Sequence, residues 1–233
     1  MARIKEFFKH TLKSMLMWLD ELLLPFVLPY IMRKKGIKSV HLSIDDVKYN
    51  LDSVGELLLN NNLTLFPHKL DVPITLFLYC KDELKNPCVY KKSALIKIGA
   101  HLPSLLLDEN LKSMLNAKEA RFHCYLANTT EVELARIKGI SHLLCSHDST
   151  RLSYNLTKEE QNNVNMMEEV YKNGMQYVKT NIRMEWPIIF QVIRTRQKRM
   201  VVFGHEWGMK SWQDKFFKLL YIIKKEDIQI INF

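Results

Sequence analysis

The chain has 233 residues, with 34 Lys+Arg against 25 Asp+Glu and a formal net charge of +9. Apolar residues make up 47%, enough for a sizeable core, which excludes disorder as the main state. Glycine is scarce, at 7 residues, and neither GxGxxG nor GxxxxGK[ST] occurs, so dinucleotide and P-loop readings lose their support.

Residues 1–35 differ from the rest of the chain. Arg3, Lys5, Lys9, Lys13, Arg33, Lys34 and Lys35 stand against Glu6, Asp20 and Glu21, a net of +4. Phe7, Phe8, Leu12, Met15, Leu16, Leu19, Leu22 and Leu23 recur at helical spacing, an amphipathic pattern. The unbroken apolar run from Leu22 to Met32 holds Pro25 and Pro29 and is only 11 residues long. A bilayer-spanning helix needs roughly 20. No small-residue cleavage site comes after it, so a secretory signal is not expected. Two readings stay open: a basic amphipathic helix in a membrane interface, or a helix packed on the domain's own core.

From residue 36 to 233 strands and helices alternate. Strands are expected at 38–44, 73–80, 95–100, 121–127, 141–145, 177–181 and 199–204. Helices are expected at 46–60, 108–117, 129–138, 157–172, 187–197 and 209–225. Asn128 or Thr129 caps the third helix. Thr157 with Glu160 forms a capping box at the fourth. The strands read as buried on both faces, which implies a parallel sheet. The fold class is α/β: about seven parallel strands in a barrel or doubly wound sheet, preceded by the N-terminal helix. The expected division is a basic segment 1–35 and a barrel domain 36–233.

In such folds chemistry collects at the carboxyl ends of the strands. Those ends deliver Asp45 and Asp46, His101, Arg121 and His123, His147 and Asp148, Asn181 and Arg183, and His205 and Glu206. Any one alone reads as a loop residue or a helix cap. Together they suit a hydrolytic site. Asp and His favour zinc, manganese or cobalt, while an acid, a base and an orienting Arg complete the chemistry. Trp186 and Trp207 follow strand ends and could stack on a sugar. Cys80, Cys88, Cys124 and Cys145 show no zinc-finger spacing and read as reduced, buried thiols. The basic run Arg194, Arg196, Lys198 and Arg199 reads as a solvated helix end. No nucleic-acid motif is present, so nucleic acid is not an expected partner.

Segments 42–47, 96–101, 121–125, 139–157, 182–186 and 201–207 together resemble the polysaccharide deacetylases, in their divergent bacterial branch. The resemblance covers about residues 36–210. It implies a distorted (β/α) barrel, a divalent metal ion (zinc, with manganese or cobalt as alternatives) and an N-acetylated saccharide substrate. The segment with Asp45 and Asp46 resembles the family's Thr-Phe-Asp-Asp-Gly, implying Asp45 as catalytic base and Asp46 as metal ligand. His101 resembles the first metal-binding His, Arg121 the Arg that holds the catalytic Asp, and His205 the late general acid. Leu105 stands where the family has its second metal-binding His, and Val47 replaces the motif's Gly. Either His123 supplies the third ligand, or metal binding is weak or lost.

Two further readings compete with the deacetylase. One is a catalytically degenerate carbohydrate- or membrane-binding protein on the same scaffold. The other is a metal-dependent sugar transferase using Asp45 and Asp46, which lacks a nucleotide-binding pattern. The implied location is cytoplasmic, peripheral on a bacterial inner membrane.

Overall fold

The strand segments are rich in Val, Ile and Leu, and most residues that break the run fall on alternate positions. That pattern gives a strand one apolar face and one mixed face. A computed structural model describes residues 2–47, 72–79, 95–109, 115–167 and 169–233. The expected helix at 46–60 and the middle of the helix at 108–117 fall largely outside the described residues, as do Cys80 and Cys88.

Helix α1 (Ala2–Lys35) leads into β1 (Ser39–Val47), β2 (Ile74–Leu78) and β3 (Ile96–Ala100). Then come β4 (Glu119–Ala120), α2 (Thr129–Ile137), β5 (His142–Cys145), α3 (Lys158–Met166), β6 (Val170–Lys172), β7 (Met175–Lys179) and β8 (Ile182–Arg183). The chain continues through α4 (Ile188–Arg194), β9 (Arg199–His205), α5 (Met209–Lys225) and β10 (Gln229–Ile230). The sheet order is β6-β7-β5-β4-β3-β2-β1-β9-β8, with β10 beside β1. All described pairings are parallel except β6 with β7. Six of the seven expected strands form as β1, β2, β3, β5, β7 and β9, and four short strands, β4, β6, β8 and β10, join them. The expected capping box forms at Thr157 with Glu160, and of the two candidate caps of α2 it is Asn128 that serves, in a box with Glu131.

The two sheet faces differ in chemistry. Val40, Leu42 and Ile44 of β1 join Ile74, Leu76, Ile96, Ile98, Met200 and Val202 in a core against α1, α4 and α5. The intervening residues point the other way. There Phe77, Leu144, Val178 and Val201 form one buried cluster. These four come from β2, β5, β7 and β9, strands far apart in the sheet order. They meet only if the sheet curls on itself, so the architecture is a distorted barrel with a filled interior. The seam lies between β7 and the β8–β9 pair. Asn181 bridges it: its side chain donates to Gln197 and to the Arg199 carbonyl, and accepts from the Val201 N–H at 2.8 Å.

One expected element is corrected. Residues 121–127 are not a strand. β4 ends at Ala120, and a 3-10 turn spans His123–Tyr125 with Cys124 and Tyr125 both at positive φ. The alternation of Phe122, Cys124 and Leu126 mimics a strand, but Leu126 is exposed. Cys124 is also exposed rather than buried, whereas Cys145 is a buried free thiol as expected.

Candidate active site

Asp45 and Asp46 are neighbours on β1, so a regular pleat would send them to opposite faces. A bulge prevents this. The β1–β2 register slips between Ile44 and Val47, and Asp46 adopts φ 55°. Asp tolerates this left-handed conformation better than most residues, and the bulge re-aims its side chain. Both carboxylates therefore reach the barrel mouth.

Arg121, the first residue after β4, enters the barrel interior. Its Nη1 donates to Asp45 Oδ1 at 2.5 Å and to the Ser43 hydroxyl at 2.9 Å. The guanidinium lies 5.0 Å from the Phe77 ring and 4.9 Å from the Phe203 ring. Such stacking favours a buried Arg. Room for Phe77 comes from Gly99, where a Cβ would sit 2.6 Å from the ring. A sequence choice on β3 thus sets the place of an Arg beside β4 and a carboxylate on β1.

His101 follows β3 directly. Its Nε2 lies 2.9 Å from Asp46 Oδ1 and 3.2 Å from His123 Nδ1. His123 Nδ1 lies 3.4 Å from Asp46 Oδ1. The His123 backbone N–H donates to the His101 carbonyl at 2.7 Å, which pins the two histidines together. Tyr79 packs against both rings. Burial would raise the Asp46 carboxyl, but the hydrogen bond and charge of His101 outweigh it, helped by His205 and Trp207. The carboxyl is held well below the usual carboxylate range.

On the opposite rim, His205 ends β9. Its Nδ1 lies 2.9 Å from Glu185 Oε1, which also accepts the His205 backbone N–H at 2.6 Å. The ring nitrogen left for chemistry is Nε2. Burial pushes the Glu185 carboxyl up, yet these bonds and the His205 charge bring it down to about 2. Trp207 stacks on His205, and its indole N–H donates to Asp46 Oδ2 at 3.2 Å.

All six expected site residues, Asp45, Asp46, His101, Arg121, His123 and His205, line one cavity of about 110 Å³ with Tyr125 and Arg151. His147 stands apart. It lines a neighbouring cleft of about 670 Å³ at the barrel seam, with Lys179, Asn181 and Trp186. Burial, with Arg183 and Lys179 nearby, brings His147 down to about 4, so it is neutral near pH 7. Asp148 is spent on its own turn, accepting from Thr150. Sequence reasoning missed Glu185, Ser43 and the Trp207–Asp46 bond. Glu185 was findable: it follows Arg183 by two and precedes Trp186 at a strand end.

Asp46, His101 and His123 are the group among the described residues whose donor atoms lie close enough to hold a metal ion. Their separations of 2.9, 3.2 and 3.4 Å lie within a few tenths of an ångström of the edges of a tetrahedral shell with bonds of about 2.0–2.2 Å. Two imidazoles and a carboxylate, with room for a further ligand, are a catalytic rather than structural donor set. The residues fit a divalent cation. Leu105 is buried in the 3-10 turn Pro103–Leu106 and takes no part.

Fold and site together describe an α/β barrel with a candidate Asp/His/His metal centre at its strand-carboxyl mouth. No family model matches the chain, and no curated protein matches it. Among solved structures, one similar chain, from Bordetella bronchiseptica, is described as a proposed polysaccharide deacetylase involved in O-antigen biosynthesis. It shares 10% identity at a TM-score of 0.44, over 79% of this chain and 82% of that one. Another is 4-alpha-glucanotransferase from Thermococcus litoralis, at 13% identity and a TM-score of 0.49, over 84% of this chain. The match spans 39% of the length of that glucanotransferase.

Proposed function

We propose that the protein is a metal-dependent hydrolase that removes N-acetyl groups from a saccharide. The observation that carries this reading is the convergence of the Asp46, His101 and His123 donors beside a carboxylate, Asp45, clamped by a buried Arg. Asp46, His101 and His123 would hold the cation, with zinc, manganese or cobalt suited to the donors. When bound, such an ion lowers the pKa of a coordinated water and stabilises charge on an acyl oxygen.

The chain's own residues supply the rest. Asp45 takes a proton from the attacking water, and Arg121 fixes the carboxylate in place. His205, oriented through Nδ1 by Glu185, hands a proton from Nε2 to the departing amine. Trp207 and Trp186 are both about half exposed or more and offer flat faces for sugar rings. The cleft beside the mouth has the volume of an ordinary ligand site.

The test measures acetate release from N-acetylglucosamine oligomers, together with metal content. Asp45→Asn should lower the rate by about 10²–10⁴-fold, the usual worth of a general base. That variant also strands a buried guanidinium, so rates must be expressed per folded molecule. Stoichiometric metal in the parent, lost in His101→Ala, supports the reading. A protein that takes up no zinc, manganese or cobalt would favour the degenerate binding protein instead.

A further inference from the structure

Helix α1 has two faces with opposite fates. Leu24, Leu28 and Met32 are fully buried against the barrel's outer layer. Asp20 is buried among them, and its carboxylate accepts the N–H groups of Ile188 and Ile189 at 2.8 Å each. Asp20 thus caps the N-terminus of α4 from another helix. Glu21 pairs with Lys218 at 2.5 Å. The outward face is different. Leu12, Met15, Trp18, Leu22, Phe26 and Tyr30 follow at steps of three and four and are all exposed, Phe26 at 77% and Trp18 at 63%. An apolar stripe of this length is rare on a protein that meets only water.

We infer that this stripe docks on an anionic phospholipid surface, with α1 lying in the interface rather than crossing the bilayer. By length and composition, Thr11–Lys35 could cross. Three observations decide against it. Crossing would strip Leu24, Leu28 and Met32 from the core and break the Asp20 cap. Pro25 and Pro29 deprive the carbonyls of Glu21 and Pro25 of their helical donors, which is costly in hydrocarbon but not at a wet interface. Trp18 and Tyr30, an indole and a phenol on one stripe, are the side chains that settle at headgroup level.

Charge selects lipid over a second copy of the chain. Exposed Lys13 and Lys34 flank the stripe, and residues 1–35 carry +4 of the chain's +9. Pairing two copies through this face would set like charges together. Anionic headgroups complement them. The α4 helix, packed beside α1, adds exposed Phe190 and Ile193 to the apolar surface.

Sedimentation of the full chain with vesicles tests this, independently of any catalysis. The protein should pellet with phosphatidylglycerol–phosphatidylcholine vesicles and far less with phosphatidylcholine alone. Rising salt should weaken the binding, and alkaline carbonate should release it. Phe26→Glu and Trp18→Glu, both at exposed positions, should each cut binding at least tenfold while leaving the thermal transition in place. Failure to pellet with anionic vesicles overturns the proposal, as does undiminished binding by both variants. Resistance to carbonate would mean a spanning helix and overturn it too. A concentration-dependent dimer dissolved by Phe26→Glu would assign the face to a second copy.

Discussion

Two clusters of histidine and carboxylate sit at opposite ends of the same barrel. At the mouth, Asp46 faces His101 and His123 in a cavity open to solvent. At the far end, where the parallel strands begin, Glu119 faces His41 at 2.7 Å and accepts from the Thr75 hydroxyl. Every side chain of this second cluster is fully buried. The residue types are nearly the same, but the settings are not. The mouth cluster brings together three donors with space beside them. The buried cluster has two such groups and no space, and its carboxylate lies where desolvation is costly. Access and donor number, not residue identity, separate a candidate metal centre from an internal strut.

Substitution at each end in turn puts that distinction at risk. Glu119→Ala should have the greatest consequence. It leaves His41 and Thr75 facing a void, and urea unfolding should show a loss of about 3–5 kcal/mol. Metal content per folded molecule should stay unchanged. Asp46→Ala should do the reverse, losing the metal while costing less stability than Glu119→Ala, because Asp46 lies nearer the solvated rim. If both variants lose metal equally, the two ends are not distinct.

A more modest change is expected at Glu185, on the rim of the mouth. It has a folded-state pKa of about 2, below the usual carboxylate value, so its stabilisation is full above that ordinary value. It is lost as pH falls from about 4.5 towards 2. The cost at neutral pH of Glu185→Gln should be about 3 kcal/mol, and the variant's stability should vary less with pH over that window. On the proposed mechanism the same change shifts the pH–rate profile, because His205 loses its orienting anion. The mildest outcome belongs to Gly99. Gly99→Ala forces the Phe77 ring aside and should cost about 1–3 kcal/mol, read by thermal melts. Its consequence at the mouth runs through Arg121, so the rate per folded molecule should fall with the metal retained.

Much of this was legible in the chain. The β1, β2, β3 and β9 segments announce themselves through Val, Ile and Leu on the outer face. Asp45, His101 and His205 were visible because each stands where an expected strand ends, while Arg121, first residue of the strand expected at 121–127, was visible through the family resemblance. The route to His123 was not. Its placement depends on positive φ at Cys124 and Tyr125. Neither is a glycine, so the turn left no local signature, and the segment read as a strand. His41 and Glu119 are 78 residues apart, and no local pattern links them. The two readings of α1 were open for a physical reason: one face of the helix is core and the other is exposed, and a sequence window averages them.

Phe233 gives the barrel a further property. Its ring stacks on His41 at 4.8 Å and on His142 at 5.0 Å, with the Arg199 guanidinium 5.2 Å away. His142 and Arg199 open their strands, and His41 is the third residue of β1. Above this stopper, Phe77, Leu144, Val178 and Val201 fill the bore. The barrel is therefore a blind well, not a pipe. Among the described residues the bore offers no second route, so on the proposed function water would enter and acetate would leave past Trp207 and Arg151.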